Sequence, residues 1–155
     1  MYLGYYRKKT IKIRSEIEQY MEQMGLDNDV EHLEISYQKE IDNIYVVIYE
    51  DLEKSGMIYW VDGELRGSNI AHTRLGNMNH CSLYQSNDSI RGSKIVIVWG
   101  NGEFISGYVL EQEGRRVICE KEVEKGIFVD VYEFPFEKEY HSLPMVYLHE
   151  EQRTE

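Results

Sequence analysis

Ile44-Tyr45-Val46-Val47-Ile48-Tyr49 is the longest uninterrupted apolar run in the chain, at six residues. That is far below the ~18 needed to span a membrane. Its β-branched and aromatic residues are apolar at both alternating positions, the pattern of a central strand covered on both faces. Lys94-Ile-Val-Ile-Val-Trp99 repeats the pattern. Two such strands need a layer on each side, so the source of those layers decides the fold.

Upstream of Ile44, Leu33, Ile35 and Tyr37 alternate with Glu34, Ser36 and Gln38, which predicts a half-buried strand. Further upstream, Tyr6, Thr10, Ile13, Ile17, Tyr20 and Met24 are spaced four, three, four, three, four, the stripe of an amphipathic helix. Thr10, or the Ser15-Glu16-Ile17-Glu18 capping box, offers a start. Gly25 can end the helix in a left-handed conformation. The Lys12–Glu16 and Arg14–Glu18 pairs run in the less favourable order and add little.

Downstream, Met57–Val61 is a strand and Asp62-Gly63 a strong hairpin signal. Residues 66–93 interrupt the pattern with Asn, Ser and Gly and predict a long polar connection, with a short strand at Ser82–Tyr84 as one reading. A second antiparallel meander follows: Lys94–Trp99, Phe104–Leu110, Arg116–Val123 and Ile127–Phe134. Gly100-Asn101-Gly102, Gln112-Glu113-Gly114 and Glu124-Lys125-Gly126 turn the chain between them. Both prolines, Pro135 and Pro144, lie after the last clear strand.

The expected fold class is therefore α+β: an N-terminal amphipathic helix packed on a largely antiparallel, meander-type sheet of about seven or eight strands. A single domain is expected over 1–149, with 1–9 a basic, tyrosine-rich arm, 66–93 the long connection and 150–155 a frayed tail. One helix of about 15 residues reaches only ~22 Å. That is short for so many strands, so either the sheet curls or apolar surface is left for another molecule.

Charge is unevenly distributed. The chain has 155 residues, 17 Lys+Arg, 28 Asp+Glu and a net charge of −11. Residues 1–15 hold five bases and no acid, +5, which leaves −16 on the rest. An acidic body repels phosphate backbones, so general nucleic-acid binding is not expected. The basic start is not followed by an apolar stretch, which reads as a chain without a signal peptide and points to the cytoplasm. Cys81 and Cys119 are then expected as reduced thiols rather than a disulfide framework.

Catalytic motifs are missing. After Gly100-Asn101-Gly102 the third glycine of a dinucleotide loop would fall at Ile105, and the next segment is β-patterned. No phosphate-binding loop, nucleophile elbow, H-E-x-x-H or C-x-x-C occurs. The five His, at 32, 72, 80, 141 and 149, have no ligand spacing, so neither metal nor cofactor is expected. Glu120, Glu122 and Glu124 recur at period two, as on a solvated strand face.

Two candidate sites remain. His72, Arg74, His80 and Cys81 could form a small-ligand or enzymatic site on 66–93, where Arg66, Arg74 and Arg91 against Asp88 give +2 and could form an anion pocket. Tyr5, Tyr6, Arg7, Lys8 and Lys9 interleave aromatic and basic residues, as in surfaces that bind partners or membrane interfaces. Glu16, Glu18 and Glu22 further along the helix count against a membrane. In composition the chain resembles small partner-binding proteins, immunity proteins of toxin systems among them, a likeness that carries no site residues. The leading expectation is a non-enzymatic, acidic protein-interaction domain: an inhibitor, immunity or accessory protein for a basic partner, steered by charge. A second copy of the chain is a further candidate partner. The alternatives are the 66–93 site and peripheral membrane attachment through the arm.

Overall fold

A computed structural model describes residues 2–25, 32–71, 73–78, 80–114, 116–136 and 138–145, with side chains from Ile13 onward. Among these residues one α-helix, α1 (Tyr2–Met24), is followed by ten strands. β1 (Glu34–Ile41), β2 (Ile44–Glu50), β3 (Ser55–Val61) and β4 (Glu64–Ala71) form a first antiparallel sheet in sequence order. β5 (Ser82–Asp88), β6 (Ser93–Asn101) and β9 (Ile127–Phe134) form a second, ordered β5-β6-β9. β7 (Gly107–Gln112), β8 (Arg116–Glu122) and β10 (Tyr140–Met145) form a third, ordered β10-β7-β8.

The expected single meander sheet of seven or eight strands is thus overturned. The described residues are mostly β, with ten strands in three antiparallel sheets, one α-helix and a short 3-10 turn at Leu75–Asn77. The cause is the demand for cover. β6 is buried along nearly its whole length, so it takes β5 and β9 as neighbours and needs a layer on each face. The first sheet covers one face through Ile44, Val46, Ile48, Met57 and Tyr59 packed with Ile95, Ile97, Trp99 and Val129. The β7–β8 hairpin leaves the second sheet and covers the other, bringing Tyr108 and Leu110 against Val96, Val98 and Phe128. At the corner where it leaves, the Gly102 amide donates to Gly126 O (2.7 Å). A Cβ at Gly102 would lie 1.8 Å from Glu124 O, so only glycine fits that approach.

The layer order is helix, first sheet, second sheet, third sheet. Ile13, Ile17 and Met21 cover the outer face of the first sheet at Val47, Tyr49, Ile58 and Trp60. Each fully buried apolar side chain of this kind contributes roughly 1.5–3 kcal/mol. Gly25 ends α1 at φ +64°. The helix starts at Tyr2, before both caps read from the sequence, so the segment taken as an arm forms its first turns. Of the polar connection at 66–93, residues 66–71 belong to β4 and 82–88 to β5. Pro144 falls within β10, opposite Tyr108, on an edge strand where a missing N–H is tolerated. The 150–155 tail lies outside the described residues.

Candidate functional site: an acidic, aromatic-walled groove beside the helix

Hairpin geometry places four residues in one row across the first sheet. Asp42 and Asn43 (φ 51° and 62°) turn β1 into β2, and Asp62 and Gly63 (φ 50° and 82°) turn β3 into β4. Both turns take left-handed backbone at two successive residues, which matches strand twist and fixes register. Glu40 then pairs with Tyr45, Tyr45 with Trp60, and Trp60 with Leu65. Directly paired residues share a face, here the face under α1.

The helix crosses this row without filling it. Trp60 Nε1 donates to Glu16 Oε2 (2.9 Å), and Ser68 Oγ donates to Tyr20 Oη (3.2 Å). Between helix and hairpin tips lies a cavity of about 250 Å³, with Ile13, Tyr45 and Trp60 as apolar walls and Glu16, Glu40 and Asp62 as its charged lining. A second cavity of about 140 Å³ adjoins it across Glu16, Trp60 and Gly63. The described lining of the first contains three carboxylates and no base. The Tyr45 and Trp60 rings lie 5.6 Å apart, tilted at 51°. Burial, reinforced by the Glu40 carboxylate, pushes the Tyr45 phenol up to about 12, so it stays neutral near neutral pH.

The rim is braced from below. In the β5–β6 turn, Asp88 Oδ1 accepts from the Ile90 and Arg91 amides (3.0 Å each). Arg91 donates to Asp42 O, and its guanidinium lies 3.4 Å from Glu133 and 3.7 Å from Asp62. Arg66 pairs with Asp88 at 3.2 Å and with Glu64 at 3.0 Å. The arginines read as an anion pocket are therefore engaged with carboxylates.

Of the site residues expected from the sequence, Arg74, His80 and Cys81 lie elsewhere. Arg74 is at the opposite end of the first sheet, 3.3 Å from Glu50, beside a cavity that neither His80 nor Cys81 lines. His80 is exposed. Cys81 packs at the interface of the second and third sheets, where burial and the Asp130 charge push its thiol up to about 12. A thiol so placed is a poor nucleophile. His72, and the side chains of Tyr5, Tyr6, Arg7, Lys8 and Lys9, lie outside the described residues.

A second polar cluster lies between those two sheets. Tyr108 Oη donates to Asp130 Oδ2 (2.7 Å) and shares a hydrogen bond with Tyr132 Oη, to which Cys119 Sγ also points (3.9 Å). Burial, then its bonds to Tyr132 and Asp130, drives the Tyr108 phenol strongly upward. These groups satisfy one another, as buried polar groups must. Among the described residues no three His, Cys, Asp or Glu side chains gather as a metal site, and no helix is long and apolar enough to cross a membrane.

The residues of the groove were not read as a site from the sequence, although a signal exists. Tyr45 follows the Asp42-Asn43 turn with only Ile44 between, and Trp60 precedes Asp62-Gly63 with only Val61 between, so two hairpins of fixed register bring their rings together. No protein-family model, no curated protein and no solved structure matches the chain.

Proposed function

We propose that this protein is a non-enzymatic interaction domain whose groove beside α1 receives a basic segment of a protein partner. The observation that carries the reading is the groove itself: three carboxylates over an aromatic floor, with no base among its described lining. The acidic net charge of −11 favours approach of a basic partner over long range. Aromatic walls supply contact area that an acidic surface alone lacks. An inhibitory, immunity or accessory role is the kind of task such a domain performs.

The test is calorimetric titration with a lysine- and arginine-rich peptide at low and moderate salt. Binding is expected at low salt and should weaken several-fold as screening shortens to ~8 Å. Glu16→Gln should weaken it further while leaving the circular dichroism spectrum unchanged. Absence of binding at low salt, or binding indifferent to Glu16→Gln, rejects the reading.

A further inference from the structure

We infer that the groove selects an arginine side chain of its partner over a lysine. This inference rests on the groove being the partner site, and it concerns what the walls add to the charge. Carboxylates alone attract either cation. Tyr45 and Trp60 add a tilted aromatic corner, 5.6 Å between centroids, fixed on the Glu16 side by the Trp60 Nε1–H bond. Trp60 is 5% exposed and forms the floor, while the half-buried Tyr45 presents the wall.

A guanidinium is planar and weakly hydrated, stacks on aromatic faces and carries five N–H donors in a fixed fork. An ammonium is a compact, strongly hydrated point charge that loses more by leaving water. Glu16, Glu40 and Asp62 come from the helix, from β1 and from the β3–β4 turn, so they approach the cavity from separate directions. A fork of donors reaches such dispersed acceptors better than a single ammonium does. A carboxylate offers roughly four lone-pair sites; Trp60 takes one at Glu16 and the Arg91 guanidinium lies 3.7 Å from Asp62, so an incoming fork uses the sites that remain. The 250 Å³ cavity has room for one such head group with part of its stem.

The experiment uses two acetylated Gly-Ser peptides, identical except that one carries arginines where the other carries lysines. Both are titrated into the full chain at the same low salt. The arginine peptide should bind at least about threefold more tightly, the gain a stacked cation makes over an unstacked one. Tyr45→Leu should erase that ratio, and Tyr45→Phe, which keeps the ring, should retain it. Thermal melts of both variants check that the fold survives. Equal affinities in the native chain, or a ratio unchanged by Tyr45→Leu in a folded variant, overturn the inference and leave the basic-partner reading standing. If neither peptide binds, that reading fails and the inference with it. A salt-sensitive dimer abolished by Glu16→Gln would assign the groove to a second copy of the chain and also overturn the inference.

Discussion

The two outer layers of the molecule cover their sheets unequally. On one side α1, a rod ~10 Å across, lies over the four strands of the first sheet, which span about 14–19 Å. On the other, three strands lie over three, and Tyr108, Leu110 and Tyr140 pack against Val96, Val98 and Phe128. The polar groups trapped under the third sheet are bonded to one another. Beside the helix, Glu16 accepts from Trp60 and Asp62 lies 3.7 Å from Arg91, yet both also line a cavity together with Glu40. A sheet can match a sheet strand for strand, whereas a single helix leaves the margin of a sheet open. In this protein that margin falls where two hairpins bring aromatic and acidic side chains together.

The contrast can be tested by truncating one buried residue in each interface. Tyr108→Ala should cost about 3–5 kcal/mol and Ile17→Ala about 2–4 kcal/mol, read from urea unfolding midpoints at equal slope. Both side chains are fully buried, so equal losses would show the helix layer to be as tightly filled as the third sheet and would weaken the contrast. A smaller effect is expected of Tyr108→Phe, which keeps the ring but takes the donor from Asp130. It should lower stability by about 1 kcal/mol, because the partly exposed Asp130 can turn to water. A loss near that of Tyr108→Ala would mean the hydroxyl cluster, not the ring, holds the third sheet down.

The smallest effect is alkaline. Cys81 is held neutral by burial, its pKa raised from 9.0 to about 12. The stabilisation this reflects is complete below pH 9 and is lost as pH climbs towards 12, because the unfolded thiol ionises first. Iodoacetamide should therefore modify Cys81 more slowly in the native protein at pH 8 than in urea. Equal rates would mean that the interface admits water at that point.

Local features of the chain were legible wherever one residue dictates one conformation. Gly25 ends α1, Asp62-Gly63 makes a hairpin, and Ile127–Phe134 is the strand its alternation predicts. The buried side of the helix followed from Ile13 and Ile17. The assignment of strands to sheets was not legible. Alternation in Phe104–Leu110 marks which side chains are apolar, yet it does not say whether they cover β6 or extend its sheet. That choice depends on the tight corner at Gly102, a contact between residues 22 and 24 positions apart (Glu124 and Gly126). The groove was hidden for a similar reason: its lining comes from α1, β1, β2, β3 and both turns, and no short window of sequence contains it.

Arg91 gives the groove one more property. From the β5–β6 turn it reaches Asp42 O and lies 3.7 Å from Asp62, so it ties the tips of three hairpins together at the rim. On the reading proposed for the groove, a docking partner would meet a preorganised rim and forfeit little loop entropy.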